Sequence, residues 1–308
     1  MTTLPDPDRY LPDGTTVGYV HLGASDPRGL AAFYRERLGF RLIAEASGTW
    51  VLSADGRPPL HLAISPASAP RRRTAGLYHL AVLYPTRQVL AGVLARLLAS
   101  GWPLQGAADH GVSEAIYLAD PEGNGVEIYA DRDPDVWPRR GGALAMVTRP
   151  LDLDGLLRLA APDREAAGGR IGHVHLHVTD LDRADGFYAD ALGFVVTQRS
   201  YPGARFYAAG DYHHHVGVNI WAGTDLPSPQ ADAPGLREFS VRLPSAAAWP
   251  AVRARLGRHR VAVEDVRDRG EHLAVRVRDP DGIAVVVEVP AGGPLSWPGR
   301  PAELPADG

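Results

Sequence analysis

The sequence predicts an α+β fold built from four βαβββ modules, and three observations predict it. Residues 17–40, VGYVHLGASDPRGLAAFYRERLGF, align without gaps on 171–194, IGHVHLHVTDLDRADGFYADALGF, sharing Gly, Val, His, Leu, Asp, Phe, Tyr, Leu, Gly and Phe. A second repeat, at one offset of 159, sets GLYHLAVLYP at 76–85 against GLREFSVRLP at 235–244 and DPEGNGVEI at 120–128 against DPDGIAVVV at 279–287. Within each repeat the apolar residues change from period two to a helical period and back, the pattern of a strand, a helix and further strands.

Each element follows from local signals. Residues 1–16, with Pro5, Pro7, Pro12 and Gly14, read as an extended arm. Module one, 17–67, holds a strand at 17–24, a turn at Asp26, a helix at 27–38 and strands near 40–46, 49–54 and 60–64. Its helix ends at Leu-Gly-Phe, where Gly39 suits a left-handed cap, as Gly193 does in module three. After a loop at 68–75, module two, 76–131, shows a strand at 76–85, a helix at 87–100 and strands near 113–119 and 124–129. Residues 132–169 read as a linker with a short helical run around 152–160 and an Ala/Gly-rich end. Modules three (171–223) and four (235–290) repeat one and two, and the Pro/Gly-rich residues 291–308 read as a loose tail. The chain is therefore expected to hold an N-terminal domain, 17–131, and a C-terminal domain, 170–290.

Composition excludes several classes. With 45% hydrophobic and 22% charged residues the chain can bury a core, and 32 basic against 36 acidic side chains, a formal charge of −4, point to no nucleic-acid or anionic-membrane surface. Arg71–Arg73 is the one dense basic run and reads as a solvated loop tip. No Cys is present, so disulfides, thiolate nucleophiles and Cys-ligated metals are out, and a cytoplasmic address is the default. Neither a signal peptide nor an apolar run long enough to span a membrane is visible.

Histidines mark the candidate site. In HVHLH, strand alternation puts His173, His175 and His177 on one face, where buried imidazoles need a metal or polar cavity to receive them. Glu127 and Tyr129 likewise share a face. His21 and His175 hold equivalent repeat positions, which favours packing for both, although His175 is close enough to His173 to line a pocket; Phe33-Tyr34 and Phe187-Tyr188 read as core.

The module order, the linker run DGLL and the stretches SEAIYLADPEGNGVEIYADR and GDYHHHVGVNIW resemble the vicinal oxygen chelate superfamily of glyoxalases, bleomycin resistance proteins and extradiol dioxygenases, and within it the two-domain extradiol catechol 2,3-dioxygenases of bacteria, the CatE type. That resemblance implies paired modules curling mixed sheets into cups with the helices outside, around an iron(II) held by two His and one carboxylate. Carried over position by position, it implies His173, His79 and Glu127 as metal ligands, whereas the matching positions elsewhere are Tyr19, Glu238 and Val286. The ligands then fall in modules two and three. The split leads to the hypothesis that modules two and three pair around the metal and one and four pair as a structural half, a departure from the family; the sequential pairing of one with two and three with four stays open.

The same resemblance implies His214 as acid/base, Tyr117 and His110 as further catalytic residues and His175, His213 and His215 as substrate contacts, with the HHH run on the last strand of module three. The implied reaction is extradiol cleavage of a small aromatic diol by dioxygen with iron(II), manganese(II) being the alternative metal, to a 2-hydroxymuconic semialdehyde-type product. Two other readings stay open: a glyoxalase-like metal-dependent isomerase, and a metal-free protein that binds a drug or aromatic metabolite. Whether the chain forms a homo-oligomer is also open.

Overall fold

The computed structural model describes residues 6, 8–161, 169–268 and 272–290. The expected tail at 291–308, most of the Ala/Gly-rich end of the linker and the first residues of the arm lie outside the described residues. Module one comprises β1 (Thr16–Ala24), α1 (Pro27–Glu36), β2 (Arg41–Ala46), β3 (Thr49–Ser53) and β4 (Leu62–Pro66); module two comprises β5 (Gly76–Leu83), α2 (Arg87–Ala99), β6 (Leu104–Asp109), β7 (Ser113–Ala119) and β8 (Gly125–Asp131). The joining segment contributes a hairpin, β9 (Arg139–Arg140) and β10 (Ala143–Leu144), and α3 (Leu153–Leu157). Module three is β11 (Arg170–His177), α4 (Leu181–Ala184) running on into a π-helical stretch Asp185–Leu192, β12 (Val195–Gln198), β13 (Ala204–Ala208) and β14 (Val216–Asn219). Module four is β15 (Gly235–Arg242), α5 (Trp249–Arg258), β16 (Val263–Asp268), β17 (His272–Arg278) and β18 (Ala284–Pro290).

Helix starts follow from capping. Asp26 Oδ1 accepts from Gly29 N at 2.9 Å, Thr86 Oγ1 from Val89 N at 3.2 Å, and Asp180 Oδ1 from Asp182 N at 2.8 Å and Arg183 N at 3.0 Å. Strand β6 carries no β-branched residue and escapes the sequence reading. In the hairpin, Gly141 and Gly142 both have positive φ, +60° and +84°, which a two-residue turn with matching twist requires.

Two eight-stranded mixed sheets result, ordered β12-β13-β14-β11-β5-β8-β7-β6 and β16-β17-β18-β15-β1-β4-β3-β2. In every module the first and last strands pair in parallel, while the central pairs β5·β11 and β1·β15 are antiparallel. Those central pairs join modules two and three in one sheet and one and four in the other. The halves 17–131 and 170–290 are thus not the sheet units; each sheet takes one module from each half.

Within each half, helix-to-turn contacts tie the two sheets together: Tyr34 Oη donates to Asp120 Oδ2 at 3.1 Å, and Tyr188 Oη to Asp279 Oδ2 at 2.9 Å. Phe33, Tyr34, Phe187 and Tyr188 are buried in one continuous apolar core, as their helical spacing predicts. Leu80, Val82, Val126, Ile128, Val174 and Leu176 belong to that core, so the alternate residues of β5, β8 and β11 face away from it. Those alternate residues include His79, Glu127, His173 and His175.

Candidate metal centre

Register brings the predicted ligands together. On β5, Ala81 lies opposite His173 of β11 on one side and opposite Glu127 of β8 on the other, and His79 is two residues back on the same face. Ala81 offers only a methyl group, so the three longer side chains converge above it. His79 Nε2 lies 3.1 Å and His173 Nε2 3.3 Å from Glu127 Oε2, and all three donor atoms lie within 4.8 Å of one another. All three side chains are buried, as is His175 opposite His79.

Close approach is built into the backbone. A Cβ on Gly172 would lie 1.9 Å from Tyr129 Oη, one on Gly125 2.2 Å from the Tyr78 carbonyl, and one on Gly217 3.0 Å from the His175 ring. Only glycine lets these strands carry the histidines so near their neighbours.

The electrostatics favour a cation. Burial, with Glu127 opposing it, lowers His173 to about 4, and burial reinforced by neighbouring imidazoles holds His175 and His214 well below the usual histidine range. Burial by itself raises Glu127, but His173 and then His79 beside it outweigh this and keep its carboxyl well below the usual range. Near neutral pH the buried Glu127 carboxylate therefore stands beside the neutral rings of His173 and His175. No Arg ion-pairs with Glu127 among the described residues, and His79 Nε2, His173 Nδ1 and Nε2, and His175 Nε2 have no hydrogen-bond partner there. Although the two nitrogen–oxygen distances are short, neither contact has hydrogen-bond geometry. Unsatisfied imidazole nitrogens converging on an uncompensated carboxylate fit a divalent first-row transition ion.

This cluster opens into a cavity of about 250 Å³ whose walls include His110, Tyr117, His175, His214 and, from the joining segment, Val147. Residues 132–161 are thus more than a connector: Asp109 and Arg149 exchange backbone hydrogen bonds of 2.9 and 3.0 Å, which lay the segment over the site. His110 Nδ1 lies 2.8 Å from the Val147 carbonyl, which only accepts, so Nδ1 carries the hydrogen. In the neutral ring Nε2 then accepts from Tyr117 Oη at 2.7 Å. Burial and the neighbouring Glu127 hold the Tyr117 hydroxyl well above its ordinary value, so it stays a phenol.

The HHH run is placed differently from expectation. It precedes β14, which begins at Val216, and only His214 reaches the cavity. His213 is a support: Nε2 lies 2.9 Å from Asp131 Oδ1 and Nδ1 lies 2.8 Å from His214 Nδ1. The Asp131 carboxylate only accepts, so a neutral His213 carries its hydrogen on Nε2 and accepts at Nδ1 from His214 Nδ1. This leaves His214 Nε2 as a bare lone pair. His215 accepts from Ala209 N at 3.2 Å, stacks 4.8 Å from Tyr212, and does not line the cavity. His213 and His215 therefore lie outside the cavity walls, because the run is irregular backbone tied from both sides rather than a strand edge.

Sequence reasoning missed the mouth. Tyr78, Tyr201, Phe206 and Trp221 edge the cavity as an aromatic collar, Tyr78 5.5 Å from Trp221 and Tyr201 6.1 Å from Phe206. Of these, Tyr78 and Trp221 flank quoted motifs, a signal available only once β5 and β14 are known to be near neighbours. His175 joins the collar, 5.5 Å from Trp221.

Among its described residues the other sheet shows no such cluster. Tyr19 Oη donates to Glu238 Oε1 at 2.7 Å, Arg276 Nε lies 3.6 Å from Glu238 Oε2, and the space beside them is about 10 Å³. Glu288 is tied to Arg242 at 2.9 Å. Where His79 and His173 of the first sheet leave ring nitrogens without a hydrogen-bond partner, the matching Glu238 and Tyr19 of this one bond to each other.

A model of the glyoxalase/bleomycin resistance protein/dioxygenase superfamily matches residues 16–128 and 170–287. The chain is 39% identical over 276 residues to the catechol-2,3-dioxygenase of Bacillus subtilis strain 168, covering 87% of this chain and 95% of that one. Among solved structures, a putative dioxygenase from Bacillus subtilis subsp. subtilis str. 168 superposes with TM-score 0.64 at 16% identity over 90% of this chain and 86% of that one. Glyoxalase I from Zea mays does so with TM-score 0.56 at 14% identity over 90% and 92%. At those identities the two structures speak to the fold alone.

Proposed function

The chain belongs to the glyoxalase/bleomycin resistance protein/dioxygenase superfamily, and from that membership we propose that it is an extradiol dioxygenase that opens a catechol-type ring beside the diol with iron(II) and dioxygen. The observation that carries this reading is the convergence of His79, His173 and Glu127 in a cavity that also presents His214 and the His110–Tyr117 pair. His79, His173 and Glu127 would hold the iron(II), which would supply the redox chemistry between a diol and dioxygen.

The chain's own residues do the rest. His214 Nε2, left bare by the Asp131–His213 support, takes a proton from a diol hydroxyl and returns it during ring opening. Tyr117 Oη, donating to His110, keeps lone pairs free to accept a hydrogen bond from a substrate hydroxyl. The aromatic collar stacks on the ring and excludes water. The product would be a 2-hydroxymuconic semialdehyde-type acid. Glu127 is the single carboxylate among the described cavity walls, which favours this chemistry over a glyoxalase-like isomerisation using a further acidic ligand.

The test is anaerobic loading with iron(II), then oxygen consumption and yellow ring-cleavage product with catechol, for wild type, His214→Ala and Glu238→Ala. Wild type and Glu238→Ala should consume one dioxygen per product, while His214→Ala keeps its iron and loses at least about 100-fold in kcat. Methylglyoxal–thiol isomerisation in place of ring cleavage would move the assignment to the isomerase reading. Catechol binding without iron or turnover would favour the binding-protein reading.

A further inference from the structure

A second cavity of about 750 Å³ adjoins the metal cavity, sharing Tyr78, His79 and Tyr117 as walls. Its loop wall is Arg71, Arg72 and Arg73, and no carboxylate is among the described residues that line it. The basic run expected to be a solvated loop tip is exposed, as expected, and it also borders this second cavity. Arg71 Nη2 donates to Asn124 Oδ1 at 2.5 Å, and Asn124 is itself fixed through N and Nδ2 to Asp120 at 2.9 and 2.8 Å. Arg73 Nη2 donates to the carbonyl of Ala222, next to the collar residue Trp221.

Both acceptors are neutral oxygens, so each guanidinium is positioned without being neutralised. The contrast is Arg132, which pairs with Asp109 at 3.0 Å and Glu114 at 2.9 Å. A wall of guanidinium groups that form no ion pair among the described residues concentrates anions and offers paired donors suited to a carboxylate. The division of space fits as well: the smaller cavity holds the ring, and the larger one lies past Tyr78 for whatever the ring carries.

We propose that this cavity is an anion subsite of the metal site, which takes the carboxylate of a catecholic substrate whose diol end lies beside His79, His173 and Glu127; the inference rests on the dioxygenase reading. A diol with an acidic side chain is then the preferred substrate class, ahead of unsubstituted catechol.

The experiment compares 3-(3,4-dihydroxyphenyl)propionate with its methyl ester, alike in reach and different in charge, on the iron-loaded wild type and on Arg71→Met/Arg73→Met. In wild type kcat/KM should favour the acid by roughly tenfold or more through KM, the preference should shrink in high salt, and it should approach one in the double variant. A wild-type ratio of one or below, or the same ratio in both proteins, overturns the subsite. If wild type cleaves neither compound nor catechol, the dioxygenase reading fails separately. Equilibrium binding of acid and ester, followed by tryptophan fluorescence, then tests the subsite alone, and equal affinities overturn it.

Discussion

Against its burial, His173 and then His79 hold the Glu127 carboxyl well below the usual range, so the ionised side chain favours the native state even without metal. Glu127→Gln should therefore lower the stability of the metal-free form, by on the order of 1–3 kcal/mol, while removing its response to iron(II). Calorimetry with and without metal checks both signs, and a higher metal-free stability would contradict the charge argument. Asp131 acts at one remove. Replacing it with Ala frees the His213 ring, so kcat should fall by roughly 100-fold with iron content retained and the acid limb of the pH–rate profile displaced. A uniform loss of iron and activity would indicate a merely structural role.

At the element scale, β11 and β8 touch through Gly172 and the Tyr129 hydroxyl. Gly172→Ala should cost about 1–3 kcal/mol by crowding, and Tyr129→Phe should restore part of it although it costs stability alone. Denaturant unfolding of the two single variants and the double gives the coupling, and strict additivity would contradict the contact. The same elements show how far the sequence could be read. His79, His173 and Glu127 were legible because the family resemblance, carried over position by position, implies ligands there and finds Tyr19, Glu238 and Val286 at the matching positions of the other modules. The HHH run was misassigned because three identical residues conceal where strand alternation stops, so the roles of His213 and His215 depended on backbone that β14 does not include. The wall around Val147 was invisible because a segment poor in periodicity is fixed by pairing with Asp109, a contact between residues far apart in sequence.

At the scale of the whole molecule, each sheet is shared by the two halves, so the metal site exists only when the chain has closed on itself. Buried neutral histidines tie that closure to pH: His215 is lowered to about 3, mainly by burial, against about 6.5 when unfolded. Between those values the unfolded chain takes up protons that the native state refuses, so metal-free stability should fall steadily as pH drops from about 6.5 toward 3. Melting temperatures across that range check it, and a flat profile would contradict the burial of neutral rings. The central claim is that modules two and three alone, one from each half, hold a single metal ion. Anaerobic iron(II) titration of wild type, Glu127→Ala and Glu238→Ala tests it most directly, read as bound stoichiometry and as stabilisation, about 2.7 kcal/mol at a hundredfold excess over Kd. The account predicts one ion in wild type and Glu238→Ala and none in Glu127→Ala; binding that survives Glu127→Ala but is lost in Glu238→Ala would contradict it.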